Sequence, residues 1–99
     1  MYIFVREDLT TPQKIVQASH AALEAGFAYN KPEGSTHIVL MGAKNQEELL
    51  KIRKRLGNCG IESQIFYEPD YNTGYTAIAT KPLYGEERLP LKKHSLFRG

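Results

Sequence analysis

The chain has one cysteine, Cys59, so no disulfide can form within it and packing alone must hold it together. Reduced cytosolic proteins are built this way, and a cytoplasmic location is expected. No apolar run approaches the roughly 18 residues a membrane helix needs. The start, Met1-Tyr-Ile-Phe-Val-Arg-Glu-Asp8, has neither the basic region nor the apolar stretch of a signal peptide, so a protein that neither spans a membrane nor is secreted is expected. Charge of one sign is also scarce. The 13 Lys and Arg against 11 Asp and Glu leave +2, too little to announce nucleic-acid binding by itself. His20, His37 and His94 are scattered in a pattern unlike zinc-ligand spacing, and Gly57-Asn-Cys-Gly60 lacks the Lys-Ser/Thr of a phosphate loop. No metal and no cofactor are expected.

What is present describes one globular domain over residues 1–99, with 41% apolar and 24% charged residues. Tyr2 to Val5 reads as a strand. Thr11-Pro12 pairs a capping residue with a proline suited to the first helical position, so a helix should begin there, with Gly26 a plausible end signal. Its apolar stripe runs through Ile15, Val16, Ser19, Ala22, Leu23 and Gly26, leaving Gln13, Lys14, Gln17 and Glu24 elsewhere on the surface. Ala18, Ala21, Ala22 and Ala25 keep the helix slim enough for close packing on a sheet. Thr36 to Met41, continuously apolar after its first residues, predicts a central strand covered on both faces.

Asn45-Gln-Glu-Glu48 opens a second helix whose apolar face is Leu49, Ile52 and Leu56, with Gly57 expected to stop it. Ile61 to Tyr67 alternates as a strand, and Pro69 to Gly74 turns into a fourth, Tyr75 to Thr80. The β-α-β-α-β-β order predicts an α/β fold, a four-stranded mixed sheet flanked by helices. Residues 81–99 form a broken tail with five bases against two acids, a net +3.

Two clusters carry candidate chemistry. Gln13, Gln17 and His20 fall on adjoining turns of one side of the first helix. A neutral imidazole there can orient water or another polar group, or it can simply bond a carbonyl and serve packing. Glu68 ends the third strand before a proline, where ligands gather outside strand carboxyl ends; Asp70 reads more simply as a turn former, and Thr76 can face the same crevice. Cys59 reads as an idle thiol. Lys51-Ile-Arg-Lys-Arg55 is in the first place a solvated helix face, although it can meet phosphates alongside the tail.

Val5-Arg-Glu-Asp-Leu9, Gln17-Ala-Ser-His-Ala-Ala22, the strand to Met41 followed by Asn45-Gln-Glu-Glu-Leu49, and the hairpin through Thr76-Ala-Ile-Ala79 to Pro82 together resemble the type II peptidyl-tRNA hydrolases, particularly their small, often phage-encoded relatives. The resemblance implies a four-stranded mixed sheet with helices and cleavage of the ester joining a peptide to tRNA. It assigns His20 and Glu68 to orienting water, Gln13 or Thr76 to the carbonyl region, Gln17 to the substrate crevice, and Lys14, Lys92, Lys93 and Arg98 to phosphates. The family's helix begins with a Gly-Lys pair, and Pro12-Gln13 stands at the matching positions. Lys14 comes one residue late, about 100° around the helix. The family's acid survives as Glu68, while its arginine has no clear counterpart. Two readings follow: a hydrolase acting on peptidyl-tRNA or a related ester, or a non-catalytic binder of RNA or a nucleotide on the same fold. A tRNA or other RNA partner is implied by both, in a host's cytoplasm if the source is viral. Leu96-Phe97 in a polar tail suggests docking on a second subunit.

Overall fold

The computed structural model describes residues 1–29, 37–92, 94 and 96–97. The elements follow in the order β1 (Tyr2–Arg6), α1 (Thr11–Ala28), β2 (Val39–Ala43), α2 (Gln46–Asn58), β3 (Ser63–Glu68) and β4 (Gly74–Thr80), with 3₁₀ turns at Asp70–Asn72 and Gly85–Leu91. The strands form one sheet in the order β2-β1-β4-β3, in which β1 and β2 are parallel and β4 is antiparallel to both β1 and β3. The predicted mixed sheet and the β3–β4 hairpin are therefore present.

Connectivity explains the layering. The β1-to-β2 crossover through α1 runs toward one edge, and the β2-to-β3 crossover through α2 runs back across the sheet. Right-handed connections in opposite directions put the two helices on opposite faces. The alternation of β1 divides the core accordingly: Tyr2 and Phe4 join Leu49, Ile52, Leu56 and Ile78 on the α2 side, while Ile3 and Val5 join Ala21, Ala25, Ala77 and Ala79 on the α1 side. The predicted apolar face of α2 is the buried one. That helix is capped by Asn45, whose side chain accepts from Glu48 N at 2.9 Å, and it runs one residue past Gly57.

Three expectations are corrected. First, α1 starts one residue earlier. Thr10 is its cap, and the Gln13 side chain reaches back to the Thr10 amide at 3.0 Å, closing a reciprocal box that Thr11 does not make. The helix also passes Gly26 to end at Ala28. Second, α1 is rotated from the predicted stripe. Its buried residues are Lys14, Gln17, Ala21 and Ala25, whereas Ile15, Val16 and Leu23 are exposed. Alanines on the inner face let the helix lie close over β1, β4 and β3, and large side chains there would hold it off.

Third, β2 is an edge strand. Its apolar run is covered by the tail, where Leu96 bridges antiparallel to Met41 and Phe97 N donates to Leu40 O at 3.1 Å. Phe97 thus packs on the α1-side core of its own chain. The tail before it is no loose arm either. Leu83 and Leu91 are buried in the α2-side core, Arg88 Nε donates to Tyr2 Oη at 2.9 Å, and His94 meets the Phe4 ring edge-on at 5.4 Å.

The β3–β4 turn depends on Gly74. Its φ of +83° is unfavourable for side chains, and an added Cβ would collide with Gln46 Oε1, the atom that accepts from Tyr75 N at 2.7 Å. Gly74→Ala is expected to lower the unfolding free energy by about 1–3 kcal/mol. Urea denaturation followed by circular dichroism measures it, and an unchanged midpoint would contradict this account of the turn.

Candidate active site at the carboxyl ends of β1 and β3

In β4 the register slips beside Thr76. Phe66 pairs with Ala77 and Tyr67 with Tyr75, so Thr76 is the extra residue of a bulge. Without the bulge, strict alternation would put Thr76 on the face of Ile78, toward α2. With it, the Thr76 hydroxyl reaches α1 and donates to Gln17 Oε1 at 2.7 Å. Gln17 Nε2 in turn donates to Glu68 Oε2 at 3.2 Å, and Asp70 N donates to Glu68 Oε1 at 3.1 Å. Thr76 is fully buried and Gln17 is 5% exposed. A buried hydrogen-bonded chain therefore ends in a half-buried carboxylate, both of whose oxygens are held.

That carboxylate opens into a cleft of about 250 Å³ lined by Pro12, Gln13, Val16 and Gln17 from α1 and by Glu68, Asp70, Tyr71 and Thr73 beyond β3, with Leu9 between. The location, outside the carboxyl ends of parallel strands, is where open α/β sheets place their ligands. Its size is below that of pockets enclosing a whole drug-sized molecule and suits one end of a longer chain. The lining charges among the described residues are both negative, Glu68 and Asp70.

Arg6 fixes the rim. Its guanidinium is bidentate to Asp8, with Nε–Oδ1 and Nη2–Oδ2 both at 2.9 Å, and Nη1 donates to the carbonyls of Thr73 and Tyr75. It thereby ties the end of β1 to the turn that forms the far wall. The guanidinium's hydrogen bond holds the Asp8 carboxyl below its ordinary range. That turn is strained. Tyr71 and Asn72 both adopt φ of +56°, a region bulky residues avoid, and Tyr71 stands 96% exposed at the cleft mouth.

The anticipated residues are thus only partly assembled. Gln13, Gln17 and Glu68 meet at the cleft, with Thr76 directly behind Gln17. Gln13 Oε1 is occupied by Thr10, which leaves its amide nitrogen as the available donor. His20 does not line the cleft; it lies one turn further along α1, 4.6 Å from the Phe66 ring, with Nδ1 buried and without a hydrogen-bond partner. Lys14 is turned under the tail, 7% exposed, with its ammonium 5.6 Å from the centre of the Phe97 ring. The single-residue offset from Gln13 accounts for that: a 100° turn carries the side chain from the cleft to the sheet. Lys92 is exposed on the tail, and Lys93 and Arg98 lie outside the described residues. Sequence reasoning missed the Arg6–Asp8 clamp, although Arg-x-Asp directly after a strand was a usable signal. It also missed Tyr71, whose left-handed backbone no local pattern announces.

Over residues 1–88 the chain matches the family model of peptidyl-tRNA hydrolase PTH2. This mixed-sheet α/β protein belongs to the peptidyl-tRNA hydrolase PTH2 family, as the motif resemblance implied. No curated protein sequence matches it significantly. Among the described residues no helix is long and apolar enough to cross a membrane, and no group of three or more His, Cys, Asp or Glu is placed to hold a metal ion.

Two outcomes follow from this geometry. Gln17→Leu leaves the Thr76 hydroxyl only its long 3.5 Å bond to the Phe66 carbonyl and is expected to lower stability by about 1–3 kcal/mol. Adding Thr76→Val should cost less in that background than in the wild type, because the under-bonded hydroxyl is then gone. A double-mutant cycle from urea unfolding reads both. Asp8→Asn concerns the rim. Because the folded Asp8 pKa is lowered, its contribution is fully present above the ordinary value of 3.8 and is lost as pH falls through the lowered one. The variant should therefore be less stable at neutral pH by under about 1 kcal/mol, the pair being partly solvated, and equal to wild type in strong acid. A deficit that persists unchanged into strong acid would show that the charge is not its source.

Proposed function

We propose that the protein hydrolyses the ester that joins a peptide to the 3′ end of tRNA. The observation that carries this reading is the Thr76–Gln17–Glu68 chain, which presents an oriented carboxylate to a narrow cleft in a member of a peptidyl-tRNA hydrolase family. Glu68 takes a proton from a water whose oxygen bonds to the ester carbonyl carbon. The Gln13 amide donates to the carbonyl oxygen as it becomes negative. The carbon–oxygen bond to the ribose then breaks, and the proton on Glu68 passes to the ribose oxygen. Gln17 and Thr76 act as positioning residues, since both are buried and their hydrogen bonds hold the carboxylate in place.

Tyr71 offers an exposed ring on which the terminal base stacks, an interaction worth about 1–3 kcal/mol. Phosphates fall to the exposed bases of α2, Lys51, Arg53, Lys54 and Arg55, and to Lys92 of the tail. Lys93 and Arg98 extend the same tail in sequence. His20, tilted against the Phe66 ring, takes no direct part, and Lys14 is too covered for phosphate contact.

One observation favours a second reading, that of a non-catalytic RNA or nucleotide binder: no described lysine or arginine lines the cleft, and Gln13 stands at the position matching the family's lysine. A single assay separates the two. Release of an N-acetylated amino acid from tRNA is expected with wild type, reduced about 10²–10⁴-fold by Glu68→Gln. Tight binding of tRNA without release favours the binder. Neither release nor binding at low salt removes both readings.

A further inference from the structure

The end of the sheet opposite the cleft holds a second hollow. Where β1 and β2 begin, a pocket of about 220 Å³ is lined by Met1, Tyr2 and His37 from the strand side and by Tyr84, Gly85 and Arg88 from the tail. Its frame is fastened from within the chain. Val39 N donates to Met1 O at 3.0 Å and Tyr2 N to the Thr80 hydroxyl at 2.9 Å, which fixes the start of β1 between β2 and the end of β4. Leu83 and Leu91, buried in the α2-side core, anchor the tail segment that supplies the other wall.

The charges that line this pocket are of one sign. The Met1 ammonium and the Arg88 guanidinium both border it, and no aspartate or glutamate is among its described lining residues. Glu87, next to Arg88 in sequence, instead meets Lys81 at 3.5 Å and accepts from Tyr84 N at 3.2 Å. Arg88 Nε donates to Tyr2 Oη at 2.9 Å, and the guanidinium carbon lies 5.9 Å from the centre of the Tyr2 ring. The fork is thereby held in place, while its two Nη groups have no partner among the described residues. The Met1 ammonium donates to His37 O at 2.8 Å. Burial, and after it the charge of Arg88, lower the Met1 amine from its ordinary range. Two cations set together without a counter-charge repel each other, and an anion between them turns that repulsion into attraction.

We propose that this pocket binds a free nucleoside monophosphate, with Arg88 holding the phosphate and the Tyr84 ring stacking on the base. A phosphate monoester carries about −1.5 to −2 charge at neutral pH, which matches two cations, and its oxygens suit the guanidinium fork. Tyr84 keeps 52% of its surface exposed at the rim, where a flat base can lie on it. Gly85 has nothing within 4 Å of the place a Cβ would take, so the wall next to Tyr84 in the chain stays open. The volume is below that of pockets enclosing a whole drug-sized ligand, so phosphate and sugar enter while the base rests on Tyr84 outside. One nucleotide fills the site.

Calorimetric titration and amide NMR of the full chain with inorganic phosphate, AMP, adenosine and a 5′-phosphorylated trinucleotide test this. Phosphate is expected to shift the amides of Tyr84, Gly85 and Arg88 and to leave those around Glu68 in place. AMP should bind more tightly than phosphate, adenosine much more weakly than AMP, and the trinucleotide no better than AMP. Arg88→Gln should weaken phosphate and AMP alike, about ten- to hundredfold. Tyr84→Ala should weaken AMP at least about fivefold and leave phosphate unchanged. Because Tyr84 is half exposed and its amide keeps its bond to Glu87 whatever the side chain, that variant decides the matter if Arg88→Gln folds poorly. Phosphate shifts confined to the bases of α2 overturn the proposal. So does an Arg88→Gln protein, folded by circular dichroism, that binds as wild type does, or an AMP affinity no greater than that of phosphate. A trinucleotide that binds more tightly than AMP assigns the pocket to the end of an RNA and overturns the choice of a free nucleotide. No ester is cleaved in any of these measurements, so they stand apart from the outcome of the hydrolase assay.

Discussion

The hydrogen bond between Thr76 and Gln17 sets more of this structure than its single contact suggests. Alanines on the inner face of α1 set its rotation only coarsely, since small side chains tolerate a range of angles about the helix axis. A fully buried hydroxyl next to a glutamine with 5% of its surface exposed removes that freedom, because turning the helix would take both partners from Gln17 and leave the Thr76 hydroxyl only the Phe66 carbonyl at 3.5 Å, at a cost of about 1–3 kcal/mol each. Once Gln17 is fixed inward, the other positions follow. Ala21 and Ala25 meet the sheet, Lys14 is carried beneath the tail, Gln13 reaches the cleft, and Ile15, Val16, Leu23 and Phe27 are left outside. The β4 bulge is the prior condition, since it aims Thr76 at α1.

This is why α1 was the least legible element. Hydrophobic periodicity assumes that the most apolar stripe is buried, and on that assumption Ile15, Val16 and Leu23 belong inside. The assumption fails where buried polar groups satisfy one another and the larger apolar residues have no space beneath the helix. In α2 nothing competes with periodicity: Leu49, Ile52 and Leu56 are the one apolar set, and they are buried as read. The β3–β4 hairpin was equally plain from alternation and a turn rich in Pro, Asn and Gly. The edge position of β2 was not, because its apolar run matches that of a central strand. It is the distant pair Leu96–Phe97 that covers it, a contact with no local trace.

The candidate site divides along the same line. Glu68 and Thr76 were readable as neighbours because the β3–β4 hairpin sets them at one end of the sheet, whereas placing Gln17 against them needed the rotation of α1 and the β4 bulge. Lys14 and His20 depended on the rotation of α1. Lys14 lies one residue from Gln13 and His20 one turn from Gln17, and those small sequence distances separate the cleft from the underside of the tail and from Phe66. Bonds between remote backbone and side-chain groups, such as Arg6 to the Thr73 and Tyr75 carbonyls, were beyond any window of sequence, although Arg6 and Asp8 were themselves conspicuous.

The placement of charge then bears on how such a cleft would treat a large polyanion. Its described lining is acidic and apolar, while the exposed bases sit on α2, across the sheet from α1, and on the tail. Phosphates near Glu68 and Asp70 would be repelled, whereas the end of a nucleic acid, with a neutral ester, ribose hydroxyls and a flat base, offers donors to the carboxylates and a ring to Tyr71. In the proposed reaction, affinity for the backbone and recognition of the reacting end thus rest on separate surfaces. Salt would weaken the first far more than the second. The net +2 of the whole chain conceals this separation, because it averages an acidic cleft with basic surfaces elsewhere.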